Sequence, residues 1–580
     1  MLIILATIIF FSTKDLNKPY DKVIMAEGIG YYVYLPATFI YHDYTFNFFN
    51  DLSAKYYRPN FNPPTKNFIN EFNGLKVNKF YPGLSLLLTP FFLLALFIAH
   101  VAHLPADGFS PIFQYSVGVS GLFYTWLGLK FLKKTLAHFK LSELAQTITL
   151  TAVFFSTNLL YYVVCFPAQS HCYLFFLISS FIFFSIFFFN DSYNNKEMYL
   201  AGMVLTAALI LTVRPQDIII VLLLPLFGLS LSKLRNLRHS IFSLKTGLSV
   251  LLGLIIIGRV IFYWYVQTGK IFINPYQGEN YHFNRPHFFD VLISYRKGWI
   301  TYCPVIFWGM AGTAFMKNNF QKIYLTSFWV VLVYITSCWW CWTFGSATFG
   351  QRVFVDFYGL LGISMGFFID WFVTRRKIIF PVIGLALFVS LCLLQTYQFK
   401  NGIIPGEFAS KETYWKNFLT MHPISQYPVP REIITHHSET NLSNKTFSGN
   451  QTTFICGDSP FSKEIKTGIP TFMFSGDYWN VKLSARMKSS SNNRSKRLLV
   501  IDFLKNGKSI SWNGFDIDSF FRNDQWTDYE CGLNLPENVH SSDSVHCYFW
   551  QPEGSKDTTY FSSVKLEFNE IDHSYLLKPR

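Results

Sequence analysis

Charge is scarce in this chain. Of 580 residues only 14% are charged and 51% are hydrophobic, against about 25% charged in an ordinary soluble domain. That excludes a water-soluble globule as the whole molecule. Paired cysteine motifs are lacking as well. The nine cysteines include no pair of CxxC sets, so a structural zinc site has no basis. The single C-W-W-C at Cys338 and Cys341 sits in a tryptophan-rich run that suits a membrane interface. The first apolar stretch, Met1 to Ser12, has neither a basic flank nor an Ala-x-Ala site, which argues against a cleaved signal peptide. As a helix it would rise about 18 Å, less than a hydrocarbon core of about 30 Å. It reads as a first transmembrane helix that starts upstream or is completed by Thr13 and its neighbours.

What the chain has in abundance is apolar runs, from Leu84 to Ala102 through Cys172 to Phe189 and Leu248 to Val266, ending with Ile378 to Leu394. Many approach the roughly 20 residues a helix needs to cross a bilayer. From about Gln398 the pattern stops. The expected fold is an α-helical polytopic membrane protein of about 11–13 transmembrane helices, residues 1–397, with a first external loop at 14–81. A C-terminal β-sandwich domain, residues 398–580, follows.

The net charge of +14 invites a nucleic-acid partner, but the basic residues lie in short clusters between apolar runs. The positive-inside tendency explains them without any nucleic acid. Lys130 to Lys140, Lys233 to Arg238 and Arg375 to Lys377 then face the cytoplasm. Cys165 to His171, Arg214 to Asp217, Gln267 to Gly298, Trp339 to Arg352 and the C-terminal part face the other side. The expected location is the cytoplasmic (inner) membrane, with the C-terminal domain extracytoplasmic. One inconsistency remains in the count. Two apolar segments separate the external loop 14–81 from the Lys130 cluster, and two crossings would return the chain outside. Either one of them does not fully cross or the Lys130 cluster is external.

The first loop carries a conspicuous acid, Glu27, in "AEGIGYYVYLP". A carboxylate at a membrane boundary is costly unless it is used or paired, although a solvated loop acid is the other reading. Gly28 and Gly30 are expected to let the backbone turn and approach a ligand, and the tyrosines, Tyr31 among them, to hold the segment at the membrane surface. Further along stand "NKFYPGLSLLLTPFF", "PAQSH" at Pro167 to His171, "VRPQ" at Val213 to Gln216, "RKGWITYCPV" at Arg296 to Val305 and "WWCWTFGSATFGQRVFVD" at Trp339 to Asp356. In this order the motifs resemble the C-superfamily membrane glycosyltransferases, the group of protein O-mannosyltransferases and the lipid A aminoarabinose transferase.

The resemblance covers Met1 to about Leu394. It implies transfer of a sugar from a polyprenyl-phosphate donor to an acceptor hydroxyl of a glycan, lipid or protein, among membrane lipids. The family's first-loop acid maps onto Glu27. The mannosyltransferase pattern has two adjacent acids, and here position 26 is alanine, with Asp21 a nearby substitute; a divalent metal is left open and none is predicted. An inverting displacement needs a carboxylate to take the acceptor's proton, and Glu27 is the choice. The leaving phosphate needs cations. Arg352 is the first choice, since a guanidinium suits bidentate phosphate contact; anchoring a helix end is its other reading. Lys79, Arg58, Arg296 and Lys297 form a second tier that equally suits lipid headgroups. His171 and Arg214 stand at helix ends, where capping or packing competes with a ligand role. Asp21 and Asp43 are the fallback acids.

The aromatic, polar loop Gln267 to Gly298 suits a sugar but is unspecific. In the tail, alternating runs with Asn-Gly and Asp/Ser turns read as an antiparallel, jelly-roll-like sandwich. It would bind carbohydrate or cap the site. Of Trp512, Trp526 and Trp550, at least two are expected in its core, and a Cys531–Cys547 disulfide is an open option. Two other functional classes stay open: a lipid-linked sugar flippase or polysaccharide polymerase, and a membrane-anchored glycan-binding protein.

Overall fold

The computed structural model of the chain describes residues 2–14, 16, 22–57, 68–72, 75–230, 238–276, 281–339, 348–401, 403–404, 409 and 411–421. In the C-terminal part it describes 434–441, 453–455, 465–468, 479–490, 497–505, 507–517, 525–534, 543–551 and 558–571. Where apolar residues run without a break, long helices form. Among the described residues six are long and apolar enough to cross a membrane: Gly83–Val101, His171–Phe189, Lys196–Val213, Leu244–Thr268, Arg352–Thr374 and Ile379–Lys400.

Several other expected spans are interrupted by their own residues. The run 148–164 is split into helices Glu143–Phe155 and Leu159–Val164. Between them Asn158 is fully buried, donating to the Phe349 carbonyl at 3.0 Å and accepting from the Tyr358 hydroxyl at 2.5 Å. The run 300–316 breaks at Cys303 and Pro304, because proline has no amide to continue the ladder, leaving Trp299–Tyr302 and Ile306–Gly312. After Pro215 the chain winds as the tighter 3₁₀ helix Pro215–Leu223. Pro111–His138, 28 residues long, is diluted in apolar character by Gln114, Ser116, Ser120 and Thr125.

The surroundings of helix Gly83–Val101 bear on the crossing count. Its leading end follows Phe80, whose carbonyl accepts from Tyr34 at 2.7 Å. Its trailing loop comes back to the same first-loop segment: the Gly108 carbonyl accepts from Tyr32 at 2.5 Å, and Asp107 accepts from Lys55 at 2.8 Å and Tyr56 at 2.5 Å. The segments flanking the helix, before Gly83 and after Val101, are thus both tied to the first loop. Pro111–His138 begins beside that loop too, where Gln114 accepts from the amides of Val23 and Ile24 at 2.9 and 2.8 Å. It then runs alongside His171–Phe189, with Gly121 against Pro167 and Phe131 against Phe183. It carries the chain to the opposite end and places the Lys130 to Lys140 cluster there. At that end Asp370 accepts from the amide and hydroxyl of Ser142, at 2.9 and 2.7 Å, and so fixes the start of Glu143–Phe155.

Ile379–Lys400 returns to the Glu27 end, where Lys400 Nζ donates to the Thr13 carbonyl at 2.5 Å. The helical body continues past it. Helix Lys411–Asn417 packs on that end through Tyr414, which meets Tyr295 and Tyr302 and accepts from Gln395 at 2.7 Å.

The tail forms two antiparallel sheets, as its alternation predicts. One orders strands Ile465–Gly468, Ser544–Trp550, Leu498–Lys505 and Lys508–Asp516; the other orders Ile434–Asn441, Thr559–Ile571, Trp479–Ser489 and Thr527–Asn534, with Thr453–Ile455 also pairing on Thr559–Ile571. Alternate residues such as Leu499, Ile501 and Phe503 meet Val481, Leu483 and Phe561 in a common core, and Phe549 stacks on Phe561 at 3.9 Å. The tryptophans are not in it. Trp512 and Trp550 are half-buried and Trp526 is 38% exposed. Strand register puts Trp512 and Trp550 on the face opposite that common core, across from Asp502 and Leu498, which are themselves buried. Cys531 and Cys547 are buried free thiols, one from each sheet, so the optional disulfide is not formed.

Candidate active site

Glu27 opens the short helix Glu27–Tyr32, preceded by Ala26 at φ 49°. A non-glycine residue in that region is strained by about 1–3 kcal/mol, a cost that surrounding structure has to sustain. The surroundings are tight. A Cβ on Gly28 would lie 2.5 Å from the Ala168 Cβ, and one on Gly30 would lie 2.3 Å from the Phe80 ring. Neither glycine has positive φ. Their role is thus close packing against "PAQSH" and the end of the first loop, not the turn or ligand approach expected from sequence. The tyrosines differ from expectation too: Tyr31, Tyr32 and Tyr34 are 5%, 0% and 2% exposed, packed inside the body instead of lying at a membrane surface.

Across from Glu27 stands Arg352, from the 3₁₀ turn Arg352–Phe357 that leads into helix Tyr358–Thr374. Its Nη1 and Nη2 donate to Glu27 Oε2 and Oε1, both at 2.7 Å. The side chains remain partly open, 31% for Glu27 and 24% for Arg352. Burial pushes the Glu27 carboxyl up, but Arg352, with smaller contributions from His171 and Lys79, holds it below the ordinary carboxylate range.

Four residues after Arg352, Asp356 forms a second, sealed cluster. Its Oδ1 accepts from His171 Nδ1 at 2.8 Å and its Oδ2 from Arg214 Nη1 at 2.8 Å. Asp217 lies 4.0 Å from Arg214. Gln216, with its amide oxygen turned to the guanidinium, accepts from Arg214 at 3.0 and 2.8 Å. A carboxylate on Nδ1 leaves the proton there and the imidazole's orientation fixed. Tyr31, its phenol pushed up to about 12 by burial, reaches Ser170 beside His171. Tyr276 from the 267–298 loop packs by Tyr81 and Phe80 and is close enough to Tyr31, Arg214 and Glu27 for their charges to act on it. Among the described residues, Gln169 Oε1, Asp217 Oδ2 and Gln351 Nε2 in these same motifs are buried with no hydrogen-bond partner.

Of the residues picked out by sequence, the structure therefore brings together Glu27, Arg352, His171, Tyr31 and Lys79. Arg58 and Asp21 lie outside the described residues. Arg296 and Lys297 sit in the turn before Trp299, and no contact among the described residues links them to Glu27 or Arg352. Asp43 is occupied locally, accepting from Thr45 and Phe48 in its own turn. Among the described residues no group of three or more His, Cys, Asp and Glu side chains could hold a metal. Sequence reasoning missed Asp356 and Asp217. The signal for Asp356 was its i, i+4 spacing from Arg352; for Asp217 it was an acid directly after "VRPQ" at a helix start.

No protein-family model matches the chain, and no curated protein does. Among solved structures, ArnT from Cupriavidus metallidurans bound to undecaprenyl phosphate is similar at 14% identity and a TM-score of 0.42, over 71% of this chain and 68% of that one. Its apo state is similar at 14% identity and a TM-score of 0.42, over 71% and 67%. The archaeal oligosaccharyltransferase AglB from Archaeoglobus fulgidus, in complex with an inhibitory peptide and a dolichol-phosphate, is similar at 11% identity and a TM-score of 0.36, over 74% and 60%.

Proposed function

We propose that this protein is an integral-membrane glycosyltransferase. It moves a sugar from a polyprenyl-phosphate donor to an acceptor hydroxyl at the outer face of the cytoplasmic membrane, with Glu27 as general base and Arg352 on the donor phosphate. One observation carries the reading: a partly open carboxylate and a partly open guanidinium, 325 positions apart in sequence, meet at 2.7 Å at one end of an apolar helical body. In the reaction the acceptor oxygen forms a bond to the sugar's C1 while its proton passes to a Glu27 oxygen. The bond from C1 to the phosphate oxygen breaks, and its electron pair leaves with the polyprenyl phosphate. Charge grows on that phosphate, where a guanidinium stabilises it. Lys79, within charge reach of Glu27, adds a second cation on that side. His171 and Arg214 shape the wall through Asp356.

The C-terminal sandwich follows a helix that ends beside Thr13 on the Glu27 side, which supports an extracytoplasmic position for it. The test is transfer in membranes supplied with a polyprenyl-phosphate sugar, measured per unit of protein. Wild type is expected to release polyprenyl phosphate and glycosylate an acceptor. Movement of the donor across the bilayer without bond cleavage would replace this reading by a flippase.

A further inference from the structure

The two residues given the chemistry above are engaged with each other. With both carboxylate oxygens held by the two Nη groups at 2.7 Å, Glu27 has its best lone pairs occupied and is a poor acceptor for another proton. Arg352 likewise offers its bidentate edge to Glu27 and not to a phosphate. As the site stands, neither group performs its assigned step.

Their surroundings favour exchange over permanence. Glu27 and Arg352 are 31% and 24% exposed, whereas Asp356 and His171 behind them are 0% and 4%. Asp356, held by Arg214 and His171, pins the 352–357 turn, so the Arg352 side chain is free to swing from a fixed backbone. We propose that the donor's phosphate takes over the Nη edge of Arg352 and releases Glu27, so that the base becomes competent only once donor is bound. This rests on the functional reading above and adds an order: donor first, proton removal second.

Charge can be followed through each stage. Before donor arrives, Arg352 matches Glu27. Once the singly charged phosphodiester holds Arg352, Glu27 is a carboxylate without that cation until it takes the acceptor's proton. When the C1–O bond breaks, the second charge leaves with the phosphate, and Lys79 is the other cation within charge reach of Glu27. The charged and titratable groups facing Glu27 come from several segments: Arg352, His171, Lys79 and the hydroxyls of Tyr31, Tyr162 and Tyr276, with Arg214 and Asp356 behind. Among the described residues Arg352 is the hydrogen-bond partner of Glu27. Its departure is therefore the event that changes the carboxylate.

The test uses the full chain in lipid bilayers with polyprenyl phosphate alone as probe. Infrared difference spectra are expected to show a carboxylate stretch that shifts when the probe binds and is missing in Glu27→Gln. In parallel, kcat/KM is measured against pH for each substrate. The value for donor reports the free enzyme, and the value for acceptor at saturating donor reports the donor complex. Loss of an adjacent cation raises a carboxylate's titration by about 1–3 pH units. The acid limb for acceptor is accordingly expected that far above the limb for donor, with the gap narrowed in Arg352→Lys. If Glu27→Gln transfers sugar normally, the functional reading itself fails and the exchange with it. If Glu27→Gln is inactive while the probe leaves the carboxylate band unmoved and the two limbs coincide, the exchange is overturned and the functional reading stands.

Discussion

Glu27 and Asp356 are each gripped by an arginine, at 2.7 and 2.8 Å, and the two pairs are joined through residues 352 and 356 of one turn. They differ in access. The Glu27–Arg352 pair is open to the extent of 31% and 24%, while Asp356 is fully buried and its Arg214 is 15% exposed. A sealed charge pair is expensive to leave half-made, because the surviving partner has no water to turn to. An open pair is replaceable by a ligand that offers the same charge. The contrast suits Asp356 to holding, and Glu27 to the chemistry proposed for it.

The sharpest way to break that contrast is Glu27→Gln, which keeps size and hydrogen bonding but cannot act as a base. Transfer is expected to fall 10²–10⁴-fold with little change in accumulation or thermal midpoint, and Glu27→Asp is expected to keep partial activity. Normal transfer would move Glu27 to the structural side. Next comes Asp356→Ala, which removes the carboxylate that His171 and the Nη1 of Arg214 share. It is expected to cost about 3–5 kcal/mol, seen as lower yield of inserted protein and a lowered unfolding midpoint in detergent. A variant that is stable but inactive would instead make Asp356 part of the chemistry.

Arg352→Lys keeps the charge and loses the planar fork. Turnover is expected to drop roughly 10–100-fold, the worth of one charge-assisted hydrogen bond, while the protein accumulates normally; undiminished transfer by Arg352→Ala would remove the residue from the site. Gly28→Ala probes the scaffold. Its Cβ, 2.5 Å from Ala168 Cβ, forces the Glu27 helix away from "PAQSH" at a cost of about 1–3 kcal/mol, read as a lowered midpoint that Glu27→Gln does not share. The smallest effect concerns pH. Glu27 is held below its ordinary range by Arg352, so its stabilisation is present above the unfolded carboxylate's titration and lost as pH falls through the lowered folded value. The midpoints of wild type and Glu27→Gln should converge in acid and separate slightly toward neutrality.

The parts of this arrangement that were legible in the sequence are those set by local chemistry. Apolar runs gave helices, alternation gave two sheets, and an acid in an apolar context marked Glu27. Arg352 was legible because a cation after small residues at a membrane edge has few other uses. What joined them was not legible, since no local pattern announces a contact between positions 325 apart. Asp356 stood in full view within "GQRVFVD" but acquires meaning only when His171 and Arg214 converge on it. Gly28 and Gly30 were misread because flexibility and close packing demand the same residue. Trp512 and Trp550 were misread because a tryptophan's hydrophobicity does not reveal which phase of a strand it occupies. The break at Asn158 depends on Phe349 and Tyr358, nearly 200 positions away.

Helix Gly83–Val101 has the length and hydropathy of a span, yet the segments flanking it, at Phe80 and Gly108, both bond to the first loop. Membrane topology is a parity problem: each segment inherits its side from the one before, so an error of one helix is not local but inverts everything downstream. Scored as a crossing, this helix would put the lysines at 130–140, Arg214, Arg352 and the β-sandwich on the sides opposite to those the proposed function needs. Glu27 and Arg352 would then appear on opposite faces of the bilayer, and no reaction could be drawn between them.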